Sequence, residues 1–209
     1  MKKFLAVAVV AAIVVLFNVI QHAKPDARSP FDALVSSADC AQPQWPDEAR
    51  RYEIDGITTI RFEIDRNGKV MRPAVTASSG WKILDDAALR SIGQCAFRSG
   101  HPGGPYPLQY VWKFDDAPVL HPQLVPQSCQ PVDGYTSFRQ MDRTPSDANG
   151  ILLRFLVDAQ GAPTRIVPEP NGQPAERIVQ AIRFLQTCRF AYDPSVQGER
   201  TDTVYGRAQ

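Results

Sequence analysis

The chain has 209 residues, a formal net charge of +1 and 22% charged residues, with both signs mixed along its length. Nucleic-acid-binding proteins usually show a basic stripe or patch, so this charge pattern predicts no nucleic-acid partner. The length suits two small domains, since a typical domain takes roughly 100–150 residues.

The first residues predict a membrane anchor. Two lysines precede an uncharged apolar run, Phe4 to Ile20, which as a helix spans roughly 25 Å. Gln21 stands two positions before Ala23, where a cleavage site needs a small residue, so we favour an uncleaved anchor over residues 1–23. A cleaved signal peptide is the alternative. The lysines predict a cytoplasmic N-terminus, which puts the rest of the chain, beginning with a short Pro-containing tether at 24–39, across the membrane.

The next stretch predicts a small unit of strands and one helix. Proline and acids after Trp45 mark a helix start, and apolar residues alternate with polar ones from Ile60 to Ile64 as in a half-buried strand. Asp65-Arg66-Asn67-Gly68 fits a hairpin turn, because Asn-Gly takes positive φ readily. In chain order we predict a helix after Trp45, strands at 60–64 and 69–77, a helix at 84–95, a Gly/Pro-rich loop at 99–107 and a final strand at 109–114.

A second copy of this pattern follows at an offset of 93 positions, and we take the register to be ungapped up to the last strand. The offset predicts strands around Leu153 to Val157 and Thr201 to Arg207, with a helix from Pro174 to Phe190 between them. The matched pairs are Arg61–Arg154, Phe62–Phe155, Asp65–Asp158, Gly68–Gly161, Arg72–Arg165, Ala88–Ala181, Arg90–Arg183, Cys95–Cys188, Phe97–Phe190 and Val111–Val204.

The predicted fold class is therefore α+β: two tandem small domains, each a three-stranded antiparallel sheet packed by a helix, behind one N-terminal transmembrane helix. We place the domains at residues 40–115 and 129–209. Prolines at three positions of the intervening 116–128 linker favour an extended connection.

The four cysteines fall into one pair for each copy. Cys40 and Cys95 lie 55 positions apart, and Cys129 and Cys188 lie 59 apart. An even number of cysteines on an exported chain predicts two disulfides with these pairings. A metal site is the alternative, but the sequence has no CxxC or HxxxH pair, and we predict no metal and no cofactor.

Within residues 40–114, an ordered set of motifs resembles the C-terminal domain of TonB-family proteins. The motifs are Trp45-Pro46, Gly56, Ile60-Arg61-Phe62-Glu63-Ile64-Asp65, Asn67-Gly68-Lys69-Val70, Ser78-Ser79-Gly80, Leu84-Asp85-Asp86-Ala87-Ala88-Leu89 and Cys95-Ala96-Phe97. The resemblance implies a single-pass inner-membrane protein whose periplasmic domain pairs with a short segment of an outer-membrane receptor. It also implies force transmitted from the ExbB–ExbD motor. The second copy lacks the Ser-Ser-Gly and Leu-Asp-x-Ala-Ala elements.

Two classes of function stay open at this point. One is a TonB-like energy transducer in transport across the outer membrane, with a receptor segment and ExbB and ExbD as partners. The other is a periplasmic interaction or scaffold protein that uses the same module without the motor. Two features weigh against the transducer. The polar pair Asn18 and His22, spaced i, i+4, lies at the far end of the anchor helix, and the tether is short for a transducer.

The predicted partner-binding site is the outer edge of the final strand in the first copy. Its residues are Gln109, Tyr110, Val111, Trp112 and Lys113. An exposed edge offers unpaired N–H and C=O groups to an extended peptide. The alternative for Tyr110 and Trp112 is that they are ordinary core residues.

In the second copy, Thr201, Asp202 and Thr203 make the last strand more polar, so we expect that edge to be capped or inactive. Leu152 and Leu156 stand where the first copy has Thr59 and Glu63. This exchange predicts that the outer face of the second sheet meets the other copy or a partner.

We predict no enzymatic activity. His22, His101 and His121 lie at the anchor boundary or in Pro/Gly-rich loops, and no nucleophile or phosphate-binding motif is present. Asp85 and Asp86 form an apparent carboxylate pair, but neighbours on a helix point apart, and a first-turn position suits the helix dipole.

Overall fold

The computed structural model describes residues 40, 43–100, 102–114 and 119–209. All of them belong to one compact unit, Leu34–Gln209. The predicted anchor and tether lie outside the described residues, and within those residues no helix is both long and apolar enough to cross a membrane. We call residues 43–114 the first half and residues 119–209 the second half.

The first half is a three-stranded antiparallel sheet with a helix on one face. Its elements are α1 (Asp47–Arg51), β1 (Gly56–Ile64), β2 (Val70–Ala77), α2 (Lys82–Gly93) and β3 (Gly103–Trp112), with strand order β2-β1-β3. Burial alternates along β1 as predicted, with Ile60, Phe62 and Ile64 in the core. The predicted hairpin turn is confirmed, with Gly68 at φ +79°.

Two boundaries in the first half differ from the sequence-based prediction. β3 begins at Gly103, inside the predicted 99–107 loop, because an edge strand tolerates Pro105 and Pro107 where a central strand would not. Cys95 lies two positions past the end of α2 rather than within the helix. It is bonded to Cys40, and Cys129 is bonded to Cys188, so both predicted disulfides are confirmed.

The second half contains a four-stranded sheet, so the prediction of three strands is wrong here. The elements of this half are β4 (Val119–Leu120), β5 (Gln123–Leu124), β6 (Phe138–Gln140), β7 (Ile151–Val157), β8 (Pro163–Glu169), α3 (Ala175–Thr187), β9 (Phe190–Ala191), β10 (Glu199–Arg200) and β11 (Thr203–Ala208). The sheet order is β6-β11-β7-β8. The extra strand, β6, is fixed by Phe138, which packs edge-on against Phe155 and Phe190 in the core. Three residues are too few to show periodicity, which is why sequence analysis missed them.

Residues 119–124, within the predicted linker, pair with the second half. β4 runs parallel to β10, and β5 runs antiparallel to β9. Leu124 packs against the core cluster of this half. The segment is extended, as its prolines predicted, and these two pairs form two-stranded sheets separate from the four-stranded sheet.

The two halves repeat the same hairpin geometry at the offset of 93. Arg61 pairs with Ala74 and Arg154 with Val167, and both hairpins shift register directly afterwards. Arg72 and Arg165 both take φ +48° at this irregularity. In the last strand the ungapped register does not hold. Tyr106 lies opposite Phe62, so the offset of 93 would place residue 199 opposite Phe155, but Val204 lies there instead. The second half therefore has five more residues before its last strand.

The outer face of the second sheet packs against the first half. Leu152, Arg154 and Leu156 lie along this face and are buried, and the Arg154 guanidinium stands 5.4 Å from the Tyr52 ring and 5.9 Å from the Trp81 ring. Trp81 also meets the Tyr205 ring edge-on at 5.3 Å. The expectation that Leu152 and Leu156 mark a contact face is met by this internal junction, so their face is not a free surface.

Polar contacts continue along the same junction. Arg51 donates two hydrogen bonds to the Asp202 carboxylate at 3.0 and 2.9 Å, and Arg143 pairs with Asp55 at 3.0 Å. Gly80 lies so close to the Arg143 carbonyl that a Cβ there would stand 2.3 Å from the oxygen. The Ser-Ser-Gly motif therefore ends in a glycine that the junction requires.

Candidate functional site

β3 is an edge strand of the first sheet. It pairs with β1 from Gly56–Trp112 to Ile64–Gly103, with a register shift after Phe62–Tyr106, and among the described residues no strand pairs with its other side. The predicted site residues Gln109 to Trp112 lie in the C-terminal part of β3, and Lys113 follows directly. The structure thus places four of the five residues in one edge strand, with Lys113 directly after it.

The hydrogen bonds of the hairpin determine which residues of β3 face outwards. The Asp65 N–H donates to the Lys69 carbonyl at 2.9 Å, so odd-numbered residues of β1 direct their N–H and C=O groups towards β2 and even-numbered ones towards β3. Their partners are the even-numbered residues of β3, from Tyr106 to Trp112. The odd-numbered residues Pro105, Pro107, Gln109 and Val111 therefore direct their polar backbone groups to the open edge.

The two prolines agree with this phase, because an edge strand tolerates proline where the missing N–H would face solvent. Of the outward-facing residues in β3 from Pro105 onwards, Gln109 and Val111 thus carry both a donor and an acceptor. Sequence analysis placed the strand but could not determine its phase.

Of the two aromatic side chains at the site, Trp112 belongs to the core and Tyr110 is half-buried. Trp112 is 4% exposed, its indole N–H donates to Thr58 Oγ1 at 3.0 Å, and its ring stacks with Tyr110 at 6.2 Å. Burial raises the pKa of the Tyr110 phenol, partly offset by a hydrogen bond with Ser91. Their contribution to the site is to hold the strand.

The outer face next to the open edge carries an exposed apolar pair. Val111 is 65% exposed and lies opposite Ile57 on β1, which is 47% exposed. Gln109, on the same face, is exposed and donates through Nε2 to Thr59 Oγ1 at 3.4 Å. Sequence analysis included Val111 for its backbone and missed the Ile57–Val111 pair, which the alternation along β1 could have indicated.

Comparison with known proteins gives the context for this edge. Residues 41–115 match the family model for the Gram-negative bacterial TonB protein C-terminal. They form a TonB C-terminal domain. Over 49 residues the chain is 41% identical to Protein TonB of Pseudomonas putida, an alignment that covers 23% of this chain and 20% of that protein. The chain thus matches about one fifth of the length of this relative.

A cleft lies beside β3 on the helix side of the TonB C-terminal domain. Trp45 forms one wall and packs against Trp112 at 6.2 Å and Phe114 at 4.2 Å. The other wall is formed by the C-terminal part of α2 and the residue after it, through Ala87, Arg90, Ser91 and Gln94. The cleft has a volume of about 500 Å³. Sequence analysis treated Trp45 only as a motif residue before a helix. Its aromatic character directly before a proline was the available signal.

The adjacent carboxylates of α2 have separate structural partners, as their helical spacing predicted. Asp85 is buried and accepts hydrogen bonds from Thr58 Oγ1 at 2.8 Å and from the N–H and hydroxyl of Ser79. Asp86 pairs with Lys82 at the surface. Asp85 thus fastens the end of β2 and the start of α2 to the sheet, a larger role than the helix dipole alone.

His121 has a structural role in the second half. Its Nδ1 lies 2.9 Å from the Thr203 carbonyl oxygen. His22 and His101 lie outside the described residues. In the part of the chain that the structure describes, no three His, Cys, Asp or Glu residues are placed to hold a metal ion.

The corresponding edge of the second half is closed. The Met141 N–H donates to the Tyr205 carbonyl at 2.9 Å, and β6 pairs with Gly206, Arg207 and Ala208. With His121 at Thr203, the outward carbonyls of β11 therefore have partners along its length. The structure agrees with the expectation of a capped edge. The edge is closed by the strand β6, however, and not because Thr201 to Thr203 are polar.

Proposed function

We propose that the protein binds an extended segment of a partner protein by strand addition to the open edge of β3, in TonB-like energy transduction or transport across the outer membrane. One observation carries the proposal: in a TonB C-terminal domain, Gln109 and Val111 direct both N–H and C=O groups to an edge that no described strand covers. The partner is a segment of an outer-membrane receptor. No step of this function requires catalysis or a cofactor.

The topology of the proposal follows the sequence. Residues 1–23 anchor the chain in the inner membrane, and the described residues lie in the periplasm, where both disulfides are stable. ExbB and ExbD are the partners at the membrane. We propose that residues 129–209 are a diverged copy of the first domain, which the shared hairpin register supports.

The second candidate function is a periplasmic scaffold without the motor. The observation that favours it is the internal junction, which gives the second half a packing role rather than a second binding edge. Coprecipitation of the full-length chain with ExbB and ExbD separates the two candidates. A transducer should retain both proteins, whereas a scaffold should retain neither.

Replacing the outward donor at Val111 tests strand addition. Val111→Pro removes an N–H from the open edge and places a ring where the added strand would lie, so we expect binding to weaken at least tenfold. The measurement is fluorescence anisotropy with labelled N-terminal segments of outer-membrane receptors from the same bacterium, on full-length protein checked by circular dichroism.

Val111→Thr is the matched control, because it keeps the N–H and a β-branched side chain, and we expect it to bind within about threefold of the parent. Gln109→Pro repeats the test at the other outward donor in case the first variant does not fold. A folded proline variant at either position that binds like the parent would exclude this edge.

A further inference from the structure

We propose that Pro105 and Pro107 fix the register and limit the length of the segment that β3 accepts. Only Gln109 and Val111 then both donate a backbone hydrogen bond to the segment and accept one from it. The segment presents an apolar side chain beside Val111. This inference rests on the proposed function and names the chemistry of its partner.

The residues along the open edge of β3 differ in the backbone hydrogen-bonding groups that they offer. Pro105 and Pro107 face outwards with a carbonyl but no N–H, whereas Gln109 and Val111 offer both groups. A ligand residue opposite a proline can donate its N–H, but its own carbonyl finds no donor on β3. Each hydrogen bond contributes only about 0.5–1.5 kcal/mol net to binding. Ligand residues opposite the prolines make half as many such bonds, and this gain does not offset the conformational entropy that the ligand loses when those residues become ordered.

The outer face determines the side-chain pattern. Residues directly opposite each other on paired strands share a face, so the ligand residue opposite Val111 lies beside an exposed apolar pair, Ile57–Val111. The ligand residue opposite Gln109 lies two positions away and meets an exposed amide. The preferred segment therefore has an apolar, β-branched or aromatic residue two positions from a polar one.

The second half provides a measure of how short such pairing can be. There the closing strand has three residues, Phe138–Gln140, and they pair with three residues of β11. A strand of that length closes the edge when one apolar side chain is well packed, as Phe138 is. A ligand confined to the neighbourhood of Gln109 and Val111 is of comparable length.

The test uses ten-residue peptides selected from a random phage library on the full-length parent and kept when Val111→Pro removes their binding. Each peptide is shortened by two residues from either end, and affinities are compared between the parent and Pro107→Thr, which restores one outward N–H. We expect Pro107→Thr to bind the full peptide about fivefold tighter. Shortening the peptide at the end that lies opposite Pro107 should lower its affinity for the parent less than about twofold, but its affinity for Pro107→Thr about fivefold.

Pro102→Thr, at an exposed position before β3, is the control for loss of a proline and should bind like the parent. Val111→Ser keeps the N–H and should weaken binding about fivefold, by loss of the apolar contact. Equal affinities of parent and Pro107→Thr at every peptide length would overturn the proline limit while leaving strand addition intact. A library without any peptide sensitive to Val111→Pro would overturn both the limit and the proposed function.

Discussion

At the scale of single residues, Arg154 is a buried cation of the second sheet that contacts the first half. It is 4% exposed and ion-paired with both Glu169 and Glu48, the latter at 2.7 Å. Burial raises the pKa of the Glu169 carboxyl, and the charge of Arg154 opposes that rise. A buried ion pair adds little stability by itself, but losing one partner leaves an uncompensated charge.

Arg154→Ala should therefore lower the free energy of unfolding by about 3–5 kcal/mol, measured by urea denaturation with tryptophan fluorescence. Arg139→Ala is the control, because Arg139 is 65% exposed and pairs with Asp142 at 3.5 Å, and it should cost less than about 1 kcal/mol. If the two variants are equally stable, the Arg154 cluster does not hold the junction.

At the scale of elements, the disulfides join the segment before each half's sheet to the end of its helix. They close loops of 55 and 59 residues. In the chain-entropy model each stabilises the fold by about 4 kcal/mol, a large share for a small core. Replacing Cys40 and Cys95 together by serine should lower the free energy of unfolding by roughly that amount, and so should replacing Cys129 and Cys188.

Chemical denaturation of the two double variants measures these losses, and mass spectrometry of unreduced peptides verifies the pairing in the parent. Free thiols in the parent, or bonds between the halves, would contradict the account of both the fold and the compartment.

The elements that sequence analysis predicted well are those with strong local patterns. Alternation defined β1, Asn67-Gly68 defined the hairpin turn, apolar spacing defined α2, and the offset of 93 positions located α3. The start of β3 was missed because prolines favour a loop unless the strand is known to lie at an edge. β6 and the short strands of residues 119–124 were missed because their pairing depends on residues far away in sequence.

The same reasoning applies to the site. The sequence identified Gln109 to Lys113 as a candidate strand, but the direction of each N–H follows from one hydrogen bond in the hairpin, between Asp65 and Lys69. A contact face at Leu152 and Leu156 was expected, whereas the rings that meet this face beside Arg154, those of Tyr52 and Trp81, needed the tertiary structure.

At the scale of the whole molecule, the two halves differ in their last strands: among the described residues no strand pairs with the outer side of β3, whereas β6 closes that side of β11. The TonB C-terminal domain is thus the half whose last strand has no described strand on its outer side. The second half contacts that domain through the Trp81–Tyr205 and Arg51–Asp202 pairs.

Amide hydrogen exchange, followed by NMR on the full-length protein with and without a bound receptor segment, tests strand addition most directly. Tyr110 and Trp112 direct their N–H groups towards β1 and should be protected in both states. Gln109 and Val111 should exchange quickly in the free protein and become at least tenfold slower in the complex, because the added strand accepts their hydrogen bonds. If the segment binds while Gln109 and Val111 exchange as fast as before, the open edge of β3 is not where the partner is held.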